Sequence, residues 1–230
     1  RAGDLVDAGR FCRRLEAVLP IKNRTIEMLG GKPVSFDELA AEAEGWSARL
    51  GRHVVDSEAL LHEQIAKGKR ILFEGAQGTA LDIDHGTYPF VTSSNTVSGG
   101  ACCGAGVGPT MIDEVLGIAK AYTTRVGNGP FPTELSCEVG EKLQTNGKEF
   151  GSTTGRRRRC GWFDAVVARH AVRVNGVTML AITKLDVLSG IDTLKICTGY
   201  RVGGETIDHF PSSVERFDNL EPVYEEMPGF

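Results

Sequence analysis

The chain has 230 residues, 41% of them hydrophobic and 24% charged, with 29 glycines and a formal net charge of −4. That is the composition of a globular α/β domain, or of such a domain with a helical appendage, and the acidic balance excludes wrapping nucleic acid as the main task. No apolar run approaches the length of a membrane span and no signal-peptide pattern opens the chain, so a cytoplasmic protein that neither crosses nor coats a membrane is expected.

Residues 4 to about 68 read as helical. Phe11, Leu15, Val18 and Leu19 recur at helical spacing before Pro20. Ser35-Phe36-Asp37-Glu38 is a capping-box pattern that opens a segment carrying Leu39, Ala43 and Trp46 on one face. A third segment follows Asp56-Ser57 with Leu60, Leu61 and Ile65, and stops at Gly68. The stripe is expected to be core; His53 and His62 are expected to be packing or surface residues. Arg1 stands where an initiator Met would be, which suggests that sequence precedes it. The expected division is a helical segment over 1–70 and an α/β core over 71–230.

At Ile71-Leu72-Phe73 the pattern predicts a short buried strand that ends in Glu74-Gly75-Ala76-Gln77-Gly78-Thr79. Ligands of α/β sheets collect at the carboxyl ends of strands. An amide on a glycine-flanked turn can donate to a ring oxygen and accept from a ring N–H, so Gln77 suits the edge of a heterocycle. The alternative is a turn glutamine paired with backbone. Asp82, Asp84 and His85 bring two carboxylates and an imidazole within four residues, but no further ligand stands at a metal-site spacing, and a hydrogen-bonded turn is expected. Thr92-Ser93-Ser94-Asn95-Thr96 offers hydroxyls that either cradle phosphate or cap a helix.

Gly104-Ala105-Gly106-Val107-Gly108-Pro109 lacks the spacing of a dinucleotide fingerprint, and no Lys-Ser or Lys-Thr follows it. Pro109, then Ile112, Val115, Leu116 and Ala119, predict a helix, and Tyr122 to Val126 a strand. Gly127 to Pro132 reads as a loop.

The stretch Gly151-Ser152-Thr153-Thr154-Gly155-Arg156-Arg157-Arg158-Arg159-Cys160-Gly161-Trp162 sets four guanidinium groups in a row after two threonine hydroxyls. At near-surface dielectric, charges a few ångströms apart interact by roughly 4 kcal/mol, so the run must be splayed or neutralised. If it is extended, Arg156 and Arg158 point one way and Arg157 and Arg159 the other, one pair toward a ligand and one toward carboxylates. Planar, permanently charged guanidinium groups fit phosphate and carboxylate oxygens, and the glycines let backbone N–H groups approach an anion. A solvated basic loop is the competing reading.

Phe163, Val166, Val167, His170, Ala171 and Val174 then predict a helix closed by Asn175-Gly176, with His170 as a satisfied core histidine. Val177 to Ile182 predicts a buried strand, and Thr183-Lys184-Leu185-Asp186 stands at its end. One aspartate there can accept from both N1–H and the exocyclic amine of guanine, while a lysine stem packs over the ring. Leu194 to Val202 and Thr206-Ile207 form a predicted hairpin through Gly203-Gly204, followed by an irregular tail. The six cysteines (Cys12, Cys102, Cys103, Cys137, Cys160, Cys197) form no CxxC pair and are read as free thiols of a reducing compartment.

Together, Phe73 to Thr79, Leu81 to Pro89, Thr92 to Thr96, Gly155 to Arg159 with Gly161-Trp162, and Thr183 to Asp186 closely resemble the adenylosuccinate synthetase family. The resemblance runs along the whole chain. It implies an α/β fold with a mainly parallel central sheet flanked by helices, a variant of the P-loop NTPase type. It also implies a GTP-dependent ligase of purine biosynthesis, a homodimer, that joins IMP and L-aspartate through 6-phosphoryl-IMP on the path to AMP. By the same resemblance, Gln77 holds the hypoxanthine edge and its phosphorylated intermediate, and Thr92 contacts the IMP phosphate. Ser152, Thr153, Thr154, Gly155, Arg156, Arg157 and Arg158 form the aspartate loop; Arg156 is shared with the IMP ribose and Arg158 reaches GTP. Lys184, Leu185 and Asp186 read guanine. The family's glycine-rich phosphate loop, its base and Mg²⁺-ligating aspartate, and its acidic histidine match no residue here. The expectation is therefore a central portion of the enzyme, without metal ligands of its own and inactive alone.

Overall fold

The computed structural model describes residues 1–151, 155–217 and 219–230. They divide into two compact units, Arg1–Ile71 and Leu72–Phe230.

The first unit is helical: α1 (Ala2–Leu5), α2 (Ala8–Met28), α3 (Phe36–Leu50) and α4 (Ser57–Ala66). Its starts are those of capped helices. Asp7 accepts from Arg10 N at 2.9 Å, Ser35 Oγ from Glu38 N at 3.4 Å, and Asp56 from Ala59 N at 3.0 Å, each covering an N–H that the first turn leaves without a carbonyl. α2 does not stop at Pro20; it runs through it, forgoing the backbone bond that the missing proline N–H cannot donate. The Asn23 amide exchanges two 2.9 Å bonds with the Val34 backbone and so closes the turn into α3. The expected core stripe is only partly buried. Ala43 is buried, but Val18, Trp46 and Leu60 are 47%, 38% and 45% exposed. Periodicity identifies an apolar face without saying what meets it.

The second unit is α/β. β1 (Leu116–Lys120) pairs in parallel with β5 (Met179–Thr183). β2 (Thr123–Arg125) pairs antiparallel with β3 (Arg159–Gly161). β4 (Phe163–Asp164) runs parallel to β6 (Thr193–Val202), which also pairs antiparallel with β7 (Glu205–Ile207) and β8 (Glu221–Pro228). The helices are α5 (Gly99–Ala105), α6 (Glu138–Asn146) and α7 (Ala165–Asn175). α7 begins at Asp164, whose Oδ1 accepts from Val166 N and Val167 N, and ends at Gly176, whose φ of 62° lets its N–H turn back onto the Val172 carbonyl. One buried cluster joins Tyr122, Leu143, Cys160, Trp162, Val187, Leu188 and Ile191; a second joins Val166, Cys197 and Tyr200.

Three local expectations are corrected. Ile71-Leu72-Phe73 forms no strand, and Leu72 is 89% exposed; no described strand offers it a ladder. Pro109–Met111 is a single 3₁₀ turn, after which Leu116–Lys120 becomes β1. Five register pairs with β5 outweigh a helical spacing built partly from residues of low helix propensity. The supposedly irregular tail is β8, held along β6 from Glu221 to Pro228, with its prolines on strand ends where a missing donor is tolerated. β5 itself is less buried than its apolar run predicts: Met179, Leu180 and Ile182 are 48%, 45% and 39% exposed. All six cysteines are free.

Candidate functional site

Gln77 and Thr92 lie on one looped segment with almost no regular structure. Its anchor is Asp82, fully buried. Oδ1 accepts from Asp84 N at 2.9 Å and His85 N at 3.0 Å, and Oδ2 from Thr96 N at 2.6 Å and Val97 N at 3.1 Å. Burial by itself would raise this carboxyl, but the four N–H donors favour its charged form more strongly and hold it down to about 2. The Asp82-Asp84-His85 group is thus a hydrogen-bonded turn, with Asn95 Nδ2 bonded to Asp84 at 2.6 Å. Thr92 is half-buried and its N–H reaches the Leu81 carbonyl at 2.8 Å. Gln77 is exposed and sits at φ 66°, a left-handed conformation that a residue with a Cβ rarely adopts, at a cost on the order of 1 kcal/mol.

The four arginines separate differently from a simple alternation. Arg157 Nη2 donates to Gln144 Oε1 at 2.8 Å, and Arg158 Nη1 to Glu149 Oε2 at 3.2 Å. Arg159 forks onto Glu134, with Nε to Oε1 at 2.7 Å, and also donates to the Gly127 and Gly129 carbonyls at 3.2 and 2.9 Å. Arg156 Nη1 stands about a van der Waals contact from where a Cβ on Gly127 would lie. Thus Arg157 and Arg158 serve the end of α6, while Arg156 and Arg159 lie at the Gly127–Gly129 loop. The segment is paired first through an isolated bridge of Arg157 with Phe150 and then as β3 from Arg159 onward. Gly155 takes φ 64°, and Ser152, Thr153 and Thr154 lie outside the described residues.

Sequence reasoning missed the centre of this arrangement, Glu149. It is 2% exposed and accepts from Lys120 Nζ at 2.7 Å to both oxygens, from Tyr122 Oη at 2.6 Å and from Arg158. Burial pushes its carboxyl up; the lysine, the tyrosine and the Arg158 charge outweigh that and hold it below the ordinary carboxylate value. Tyr122 is driven far up, by burial first and then by Glu149, with the charge of Asp186 adding to it. The sequence context of Glu149, between Lys148 and Phe150, gave no signal of this role.

Lys184 follows β5 at φ 62°, and its Nζ donates to the Gly147 carbonyl at 2.6 Å. Lys120 and Thr183 are register partners at the carboxyl ends of β1 and β5. Leu185 and Asp186 come next, both exposed, at the start of a 3₁₀ turn. The segment 144–149 therefore receives Arg157, Arg158, Lys120 and Lys184. The Gln77–Thr92 segment is connected to the Gly127–Gly129 loop through Arg125, whose Nη2 donates to Thr87 Oγ1 and the Phe90 carbonyl, both at 2.9 Å, and whose Nε donates to the Asn128 carbonyl at 3.0 Å. Arg125 is paired in register with Arg159. Two surface hollows of about 420 and 340 Å³ lie elsewhere, beside α7 and between Gly86–Pro89 and Pro211–Phe217, and neither is lined by a nominated residue.

Such an arrangement, with Lys120, Arg157, Arg158 and the left-handed Lys184 gathered by the carboxyl ends of the parallel strands β1 and β5, is suited to anionic substrates. The profile of the adenylosuccinate synthetase family matches residues 1–230. The chain belongs to the adenylosuccinate synthetase family. It is 56% identical over its whole length to adenylosuccinate synthetase of Prochlorococcus marinus (strain MIT 9313), covering 53% of that protein, and 55% identical to that of Trichlorobacter lovleyi, covering 54%. It also superposes on a solved structure described as fully ligated adenylosuccinate synthetase from Plasmodium falciparum, with TM-score 0.93 and 34% identity, over all of this chain and 55% of that one. The α/β class is that of this adenylosuccinate synthetase, with parallel pairing in β1–β5 and β4–β6. The chain spans about half the length of the curated relatives it matches.

Proposed function

We propose that the protein to which this chain belongs joins IMP and L-aspartate at the expense of GTP, giving adenylosuccinate, GDP and phosphate, as a C–N ligase of AMP biosynthesis. The observation that carries it is the convergence of Arg157, Arg158 and Lys184 on the Gln144–Glu149 corner at the strand ends, in a chain of this family. Transfer of the GTP γ-phosphoryl group to the 6-oxygen of IMP turns a poor leaving group into phosphate, which the aspartate amine then displaces. Such a loose transfer needs charge stabilisation and positioning more than covalent help from the protein.

In this reading Gln77, exposed on its left-handed turn, holds the purine edge, and Thr92 meets the IMP phosphate. Residues Ser152 to Arg158 receive aspartate, Arg156 also serving the ribose and Arg158 GTP. The Glu149 carboxylate presents Arg158 in a fixed orientation, and Lys184, Leu185 and Asp186 select guanine over adenine. The Mg²⁺ implied by the family finds no set of ligands among the described residues: no three His, Cys, Asp or Glu side chains converge, and both Asp82 oxygens are taken by N–H donors. No helix among the described residues is long and apolar enough to cross a membrane, and free thiols suit the cytoplasm. A homodimer is proposed on the family resemblance.

The test is formation of adenylosuccinate by the full-length protein, followed by its absorbance, with IMP, aspartate and GTP omitted in turn. Product only when all three are present is expected, and none from the 230 residues alone. GTP hydrolysis independent of IMP would replace the ligase by a GTPase.

A further inference from the structure

The segment from Gln77 to Ser98 has little secondary structure to hold it, and two of its ties converge on one helix. Asn175, the last residue of α7, donates from Nδ2 to Thr79 Oγ1 at 2.9 Å and to its own Ala171 carbonyl at 2.8 Å. Its Oδ1 accepts from Ser98 N at 2.8 Å, and its main-chain carbonyl accepts from Ser98 Oγ at 2.7 Å. Both amide protons and the amide oxygen are therefore engaged. Earlier on the same helix His170 lies with Nε2 2.9 Å from the His85 carbonyl, its ring stacked on Phe210 at 4.4 Å between centroids. Asn175 is itself fixed, because Gly176 turns the chain and anchors its N–H on Val172.

Thr79 stands two residues after Gln77, and Ser98 is the residue from which α5 starts. A single amide thus closes the two ends of the segment onto a rigid helix, while Asp82 organises its middle. An error of about 1 Å in a group that meets a substrate is enough to lose a hundredfold in rate. We infer that Asn175 is a positioning residue for the purine-nucleotide segment, acting through Thr79 and Ser98 rather than by touching substrate. The inference rests on the functional reading above.

The test uses the full-length protein with Asn175→Ala, Thr79→Val and Thr79→Ser. Asn175→Ala and Thr79→Val raise KM for IMP about tenfold, while KM for GTP and aspartate stays within about twofold. Thr79→Ser keeps the acceptor hydroxyl and stays near the unsubstituted value. Amide exchange accelerates over residues 79–98 and not in α6. Equal rises in all three KM values, an unmoved IMP KM despite faster loop exchange, or Thr79→Ser behaving as Thr79→Val would overturn the inference. Should Asn175→Ala fail to fold, the Thr79 pair decides. Absence of ligation by the unsubstituted protein sinks the functional reading before any variant is compared; ligation with an unmoved IMP KM sinks only the role of Asn175.

Discussion

Asp82→Asn isolates the charge that organises the Gln77–Thr96 segment. The substitution keeps the shape and one acceptor oxygen but turns the other into a donor, so two of the four N–H groups from Asp84, His85, Thr96 and Val97 lose their acceptor. The carboxyl lies at about 2 in the folded protein against an ordinary 3.8. At about 1.4 kcal/mol per pH unit the charged form contributes roughly 2.5 kcal/mol at neutral pH. Because the folded value is depressed, that contribution is complete above the unfolded value and is lost as pH falls through the folded one. From pH 5 to pH 3 about 1 kcal/mol of it should disappear. The assay is urea unfolding followed by Trp162, which is buried in the same unit, in a Trp46→Phe background that removes the other tryptophan. The expected gap in unfolding free energy between the protein with Asp82 intact and the Asp82→Asn variant is about 3 kcal/mol at pH 7, narrowing on acidification. Carboxylates common to both proteins cancel in that difference. A gap that stays constant from pH 5 to pH 3, with the same denaturant slope, would refute the reasoning.

Glu149→Ala should cost about 3 kcal/mol, since it leaves Lys120 and Arg158 without their buried carboxylate; adding Lys120→Met should return part of the loss, and additive costs would deny the coupling. Gln77→Gly relieves the left-handed backbone and should leave the urea midpoint unchanged or slightly raised, while kcat of the full-length protein falls at least about a hundredfold. Retained activity would remove Gln77 from the site. Asp186→Asn should weaken GTP by about a hundredfold and improve xanthosine triphosphate, because an amide can donate to the 2-oxygen that replaces the guanine amine; kcat/KM with both nucleotides measures it.

Caps and stops were legible because they are local. Ser35 before Glu38, Asp56 before α4, and Asn175-Gly176 at the end of α7 each determine hydrogen bonds within a few residues of themselves. Gln77, Arg156 to Arg159 and Lys184 to Asp186 stood out in the sequence because their donors and acceptors suit phosphate, carboxylate and guanine, the roles proposed for them above. Ile71–Phe73, Leu116–Lys120 and Glu221–Pro228 were misread for the opposite reason. Whether such a run is a strand depends on a partner 63 residues away for Leu116 paired with Met179, and on β6 for β8. Glu149 escaped notice because a lone glutamate acquires meaning only when Lys120, Tyr122 and Arg158 arrive from other parts of the chain.

By itself the sequence determined the α/β class, the family, the capped starts of α3 and α4, and the Gly176 stop of α7. Those follow from short-range hydrogen bonding and from side-chain chemistry that does not depend on neighbours. Only the tertiary structure decided that Arg157, Arg158 and Lys184 meet at one buried carboxylate corner, and that Asn175 fastens both ends of the segment carrying Gln77. Charge pairing and burial are properties of juxtaposition, and a list of residues does not contain distances.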